Sequence, residues 1–318
     1  MTRVLFIAVF AASLAGVASA SYELAMYGAG GLGYVQRIDP VTGANLGKFG
    51  TGYLGDAKGI ALDGNTGDVY VADYASALIL KFNYSTGEFK SSFYVGAETA
   101  AYRVTRLSDG TLLVGSEGSN LVRYSASGNK IDTYTFPGLI GSIVGQAQTS
   151  SGFVWACTSG KQLYRISIGS TAATLTGLAL PASNFPIGLS ADGNDLAYGN
   201  YGDDCYQQVL STTAGGLASL KNSESVGAGE ADALLVRATG FGHGGMVYSI
   251  IQDGTTSSNY MYRWDPKSFY SSRFAIPGTG YTGTQMAIVV APEPQTIVAM
   301  LAGCGLMLRR RRGRAAKS

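Results

Sequence analysis

The 318-residue chain contains a single histidine, His243, and that count narrows its chemistry. A metal site built on several imidazoles is excluded within one chain, and a Ser-His-Asp relay would have to run through His243. This residue stands in Gly240-Phe241-Gly242-His243-Gly244-Gly245, a glycine-rich stretch that reads as a turn. Carboxylate and amide chemistry remains open. Asp73, Asn200, Asp203, Asp204, Glu230 and Asp232 lie near points where short apolar runs begin or end. Oxygen donors of this kind suit a hard divalent cation such as calcium, and Asp203-Asp204 is the densest pair. Corresponding positions elsewhere hold Ser116, Cys157 and Ile251, so no ligand set is defined; a solvated rim is the competing reading, and no cofactor is firmly implied.

The elements that would position these groups show in the stretch 59–87. Runs at 59–62 and 68–72 flank a turn made from Asp63, Gly64, Asn65 and Gly67, and a third run, 78–82, leads into Ser85-Thr86-Gly87. Alternation of apolar and polar residues between Asp, Asn and Gly clusters is the pattern of antiparallel strands joined by hairpins. The third run recurs. Arg37, Lys81, Arg123, Arg165, Gln208 and Arg263 occupy equivalent places in an apolar-basic-apolar-polar pattern, at steps of 44, 42, 42, 43 and 55 residues. A polar insertion around 253–259 accounts for the last step. Repeats of roughly 40–45 residues with about four strands each have the period of a β-propeller.

The expected fold is therefore all-β: one propeller over residues 21–291, with six four-stranded blades. First strands are expected at 59–63, 103–108, 146–150, 187–191, 234–239 and 286–290. Residues 23–49 supply only the later strands of a blade, so 286–290 is expected to complete that blade and close the ring, removing two open sheet edges. An unclosed solenoid, or five or seven blades, are the alternatives.

Both ends of the chain read as targeting segments. Residues 1–20 combine Arg3, an apolar stretch at 4–17 and the cleavage pattern Ala18-Ser19-Ala20, as in a secretory signal peptide removed by signal peptidase. Residues 292–318 combine Pro292-Glu293-Pro294, an apolar stretch at 297–308, and Arg309, Arg310, Arg311 and Arg312. Twelve helical residues span about 18 Å, short of a hydrocarbon core of about 30 Å, and the basic cluster should stay on the cytoplasmic side. The three-part tail resembles the PEP-CTERM sorting signal of Gram-negative bacteria. The resemblance implies recognition by an exosortase, transient contact with the inner membrane through a C-terminal hydrophobic helix, and delivery to the cell surface or extracellular matrix after tail removal.

The body resembles NHL-type and gluconolactonase-like six-bladed propellers, through Gly59-Ile60-Ala61-Leu62-Asp63 followed by Val69-Tyr70-Val71-Ala72-Asp73. The good match covers one blade. Gluconolactonase-like propellers hold a divalent metal with Glu, Asn and Asp side chains at the central mouth, but that set does not map onto this chain residue by residue.

Between the two targeting segments the chain carries 16 basic and 20 acidic side chains, so the overall positive balance belongs to the ends and marks no nucleic-acid surface. The basic residue of each repeat reads as a solvated strand position or an ion pair to the neighbouring blade. Cys157 and Cys205 belong to an exported chain, where a disulfide is permitted; pairing and two separate thiols both stay open. Most of the 20 tyrosines fall on strands and are expected to pack between blades. Loops entering first strands and leaving second strands converge at one end of a propeller and are free to vary. Lys58, Asp73, Tyr102, Arg103, Gln146, Asn200 and Gln285 are the candidate binding residues there, with Tyr74 and Tyr201 beside them and His243 at the opposite end. The function expected is binding or scaffolding among extracellular polysaccharide (exopolysaccharide, biofilm matrix) or matrix proteins. The alternative is a metal-dependent lactonase- or lyase-like enzyme acting at the same mouth.

Overall fold

The computed structural model describes residues 21–292 except 29, 97–100, 117, 181–184, 202–205, 214–217, 226–233, 242–244, 254–257 and 277–285. The chain falls into two compact units. The larger is Leu24–Val289; the other is Met1–Glu23 with Val290–Ser318, of which 21–23 and 290–292 are described. Residues 1–20 and 293–318, which carry the expected targeting segments, lie outside the described residues. No helix among the described residues is long and apolar enough to cross a membrane.

The larger unit is a six-bladed β-propeller built from six four-stranded antiparallel sheets. Blade A is made of β1 (Ser21–Gly28), β2 (Val35–Ile38), β3 (Asn45–Phe49) and, from the far end of the chain, β24 (Met286–Pro292), in the order β24-β1-β2-β3. Blade B runs β4 (Ala57–Asp63), β5 (Asp68–Asp73), β6 (Leu78–Asn83), β7 (Phe89–Tyr94). Blade C is β8 (Arg103–Arg106), β9 (Leu112–Gly115), β10 (Leu121–Tyr124), β11 (Lys130–Tyr134). Blade D is β12 (Ile143–Gln148), β13 (Val154–Thr158), β14 (Gln162–Ile166), β15 (Thr174–Ala179). Blade E is β16 (Phe185–Asp192), β17 (Asp195–Tyr201), β18 (Tyr206–Thr212), β19 (Ala218–Ser225). Blade F is β20 (Leu234–Phe241), β21 (Val247–Asp253), β22 (Asn259–Trp264), β23 (Ser271–Ile276).

The recurrent third-strand motif has a local cause. In blades A, B and F the polar residue ending the motif caps the turn that follows. Asp39 Oδ1 accepts from the N–H groups of Val41 and Thr42, Asn83 Oδ1 from Ser85 and Thr86, and Asp265 Oδ1 from Lys267. Such Asx turns hand the chain to a residue with positive φ, the region where glycine carries no penalty. Gly87 occupies it at φ 77°. A Cβ at Gly87 would also lie 2.5 Å from that of Phe49, so the turn of blade B is pressed against the outer strand of blade A. Gly43 meets Phe274, and Gly128 meets Phe93, in the same way. In blades A, B and C one glycine therefore serves both turn and blade contact.

The basic residue of the motif, expected at a solvated strand position or in a neighbouring-blade ion pair, instead makes an ion pair within its own blade in blades B and C. Lys81 and Arg123 pair with carboxylates of their own blades: Lys81 with Asp68 at 2.6 Å, Arg123 with Asp109 at 2.5 Å and Asp132 at 3.2 Å. The side chains alternate across the pleat, which puts position 81 opposite Tyr70 and beside Asp68 on the same blade face. Arg37 does reach the next blade, but it donates to the backbone carbonyl of Ser85 at 2.7 Å.

The core lies between blades. Separate buried clusters join B to C, C to D, D to E and E to F. A further cluster joins F to A: Tyr248, Ile250 and Met261 pack with Ala25, Tyr27, Ile38 and Met286. Blades A and B meet through an edge-to-face contact of Phe49 and Phe82, centroids 5.3 Å apart. Tyr70, Tyr124, Tyr164, Tyr248 and Tyr262 are buried in this way, which removes them from the list of ligand-stacking rings.

Candidate functional site

First strands start at one end of the channel, and second strands return to it. That end carries β4, β8 and β12 starts and the exits of β5 and β9. Lys58, the second residue of β4, places its Nζ 6.0 Å from the Tyr74 ring centroid and 5.9 Å from that of Tyr102. The two rings meet edge to face at 5.7 Å, across the junction of blades B and C. The Arg103 guanidinium lies 4.6 Å from the centre of Tyr102. Two cations and two aromatic rings thus share one spot, and Tyr74 is exposed there. Contacts of this sort contribute about 0.5–1 kcal/mol each at accessible sites.

Behind this surface the other candidates are committed to the scaffold. Asp73 is buried, and its Oδ1 accepts from the N–H groups of Gly55 (3.0 Å) and Asp56 (2.6 Å), while Oδ2 accepts from Ser76 Oγ. The carboxylate therefore ties the loop entering β4 to the end of β5. Asp56 in turn holds Lys58 Nζ at 3.2 Å. Arg103 is buried too, and donates to the carbonyl oxygen of Ile143 at 2.8 Å, bridging blades C and D. Gln146 stands in the middle of β12 rather than at its start, because that strand begins at Ile143, three residues earlier than the turn-based reading placed it. Its Nε2 donates to the carbonyl of Leu113 on blade C at 2.8 Å. Asn200 pairs through its backbone with Pro186 in blade E. Gln285 and His243 lie outside the described residues, as do Asp203, Asp204, Glu230, Asp232 and Cys205; His243 falls in the connection between β20 and β21. Among the described residues no group of three or more His, Cys, Asp or Glu side chains converges as metal ligands.

Cys157 is a buried free thiol on β13. Burial pushes it up to about 12, against the opposing pull of the Arg103 charge. It is a packing residue rather than a nucleophile.

The other end of the channel, where β4–β5, β8–β9, β12–β13 and β20–β21 turn, holds a cavity of about 500 Å³ that the motif-based reading did not anticipate. Its rim is a chain of contacts from blade to blade. Arg106 Nε and Nη2 both donate to Asp63 Oδ2 at 2.9 Å, joining C to B. Ser108 N–H donates to Gln148 Oε1 at 2.7 Å, joining C to D. Ser150 N–H donates to the Gly193 carbonyl at 2.7 Å, joining D to E. Phe241 N–H donates to Ser190 Oγ at 3.2 Å, joining F to E. Burial alone would raise the Asp63 carboxyl, but the Arg106 hydrogen bond and charge and the N–H groups of Asn65 and Thr66 hold it below the ordinary carboxylate range. One signal of this pair was present in the sequence: opposite charges 43 residues apart, one blade period, at the ends of successive first strands.

The architecture defines the class: a closed six-bladed β-propeller with an inner channel. No family model and no curated protein sequence matches the chain. Solved structures similar to it are propellers at low identity. They include a virginiamycin B lyase from Staphylococcus aureus (17% identity, 70% of this chain and 70% of that one, TM-score 0.51) and a protein of unknown function from Bacteroides caccae (12%, 85% and 99%, TM-score 0.62). A chain of a nidogen/laminin complex is similar at 13% identity over 84% and 98%, with a TM-score of 0.64. At such identities the likeness concerns the fold.

Proposed function

We propose that this chain is an exported, surface-sorted propeller that binds polysaccharide of the extracellular matrix at the Lys58–Tyr74–Tyr102 surface. The observation that carries the reading is the edge-to-face pair Tyr74–Tyr102 with Lys58 and Arg103 against its rings, set across two blades. Aromatic faces receive the apolar C–H faces of sugar rings, and the Lys58 ammonium beside them offers N–H donors to their hydroxyl and carboxylate oxygens. Asp73 and Arg103 support that surface by fixing the loops and blades beneath it. Export rests on the Ala18-Ser19-Ala20 pattern, and sorting by an exosortase rests on Pro292-Glu293-Pro294 with Arg309–Arg312. The test is affinity electrophoresis of the protein in gels containing the host's extracellular polysaccharide. Retardation should fall about tenfold in Tyr102→Ala, corresponding to about 1.4 kcal/mol, with unchanged unfolding. Equal retardation of the two proteins would refute the site.

A second reading is a metal-dependent lyase or lactonase, favoured by the fold shared with virginiamycin B lyase. Its candidate ligands are Asp203, Asp204, Glu230 and Asp232. Calcium or manganese should then raise the unfolding temperature, and alanine at Asp203 and Asp204 together should abolish the rise; no shift with either metal refutes it.

A further inference from the structure

We infer that the cavity at the hairpin end of the channel is a second binding site, independent of the polysaccharide surface, for a small uncharged polyhydroxylated molecule such as a free sugar or sugar alcohol. The cavity encloses about 500 Å³, within the size range of small-molecule sites. All six innermost strands contribute to its wall: β4, β8, β12, β16, β20 and β24. Each of these strands has a hydrogen-bonded partner on one side only, so each turns an edge toward the channel axis. A strand edge presents N–H donors and C=O acceptors in alternation. A hydroxyl group donates and accepts, and therefore satisfies either kind of position. A carboxylate only accepts and an ammonium only donates, so either would leave part of such a wall unsatisfied.

Charge points the same way. Asp63 and Arg106 are the charged side chains of the lining, and they neutralise each other at 2.9 Å. A charged guest would find no free counter-charge in this lining. The remaining wall mixes neutral hydroxyl and amide side chains, such as Thr105, Ser190 and Gln148, with aliphatic groups such as Ala61 and Ala191. That mixture matches a molecule with hydroxyl rims and apolar C–H faces. Phe241 supplies a partly buried ring at the same level.

The experiment is ligand-observed NMR titration of the full chain with methyl α-D-glucopyranoside and sorbitol, with glucuronate and glucosamine as charged counterparts. Saturable binding of at least one neutral probe is expected, with both charged probes at least tenfold weaker. Ser108 and Asn65 are exposed lining residues at the rim. Ser108→Trp should obstruct the entrance and weaken the neutral probe at least tenfold, and Asn65→Trp provides the same reading from blade B should the first variant fail to fold. Tyr102→Ala, at the opposite end, should leave this binding unchanged while reducing polysaccharide retardation, which keeps the two sites distinguishable. Absence of saturable binding by either neutral probe overturns the inference. So does equal binding of the charged probes, or loss of binding in Tyr102→Ala with full binding in a folded tryptophan variant.

Discussion

Replacing Arg106 by methionine isolates the ion pair that bridges blades B and C at the channel rim. The substitution keeps most of the aliphatic length but removes the guanidinium, leaving Asp63 with a side chain only 4% exposed. Removing one partner of a fully buried pair costs about 3–5 kcal/mol. Here Arg106 is 19% exposed and Asp63 retains the Asn65 N–H at 3.1 Å, so water and backbone recover part of the loss and about 2 kcal/mol is expected. For a domain of this size that corresponds to a fall of about 4–8 °C in unfolding temperature. Asp63→Asn with Arg106→Met should lose less than the sum of the single variants, with a coupling of about 1 kcal/mol or more. The pH dependence has a definite sign. The folded carboxyl lies below its unfolded value of about 3.9, so its stabilisation is complete above that value and is lost as pH falls through the folded value. In Arg106→Met burial acts without the cation and raises the Asp63 carboxyl. Protonation then relieves the stranded charge, and the deficit against wild type should shrink between pH 7 and pH 4. Thermal unfolding followed by circular dichroism measures all four proteins. Additive losses in the double variant, or a deficit that stays constant down to pH 4, would refute the assigned role of the pair.

Three further outcomes follow from the packing. Gly145→Ala should destabilise by about 1–3 kcal/mol, since its Cβ would stand 2.8 Å from Cys157 Sγ and 2.7 Å from the Gly188 carbonyl carbon between blades D and E; chemical denaturation measures it, and an unchanged midpoint counts against that close approach. Cys157, raised to about 12 and buried, should resist a thiol reagent at pH 8 in the folded protein and react once denaturant is added, with rapid native labelling as the contrary result. Deleting residues 284–291 removes the innermost strand of blade A and should lower the unfolding temperature or abolish cooperative unfolding, whereas a truncated protein that melts like wild type would show that β24 contributes nothing to the ring.

Much of the fold was legible because its determinants are local. The period near 43 residues and the strand alternation are properties of single repeats that recur along the chain, and Asx-glycine turns add to them in blades A and B. Even the pairing of β24 with β1 could be read, since a chain that starts one strand late needs a strand from its other end. Strand starts were less legible where turn signals were weak: β12 begins at Ile143, and the Gly145 within it resembles a loop residue until its role at the blade D–E contact is seen.

The site was legible only in part, and for a physical reason. The sequence by itself assigned Lys58, Asp73 and Tyr102 to one end of the propeller, because the direction of each strand follows from its place in the repeat; Gln146, read as a residue of the same end, stands mid-strand and lines the hairpin-end cavity. Lys58 and Tyr102 could thus be assigned to one end without coordinates. Whether a side chain there faces solvent or anchors the scaffold depends on atoms contributed by another strand or blade, and that only the tertiary structure decided. Asp73 is occupied by the Gly55 and Asp56 amides, Arg103 by the Ile143 carbonyl, and Gln146 by the Leu113 carbonyl. The cavity at the hairpin end belongs to the same category: it is the space left between six inner strand edges, and a volume enclosed by six blades has no signature in any one of them.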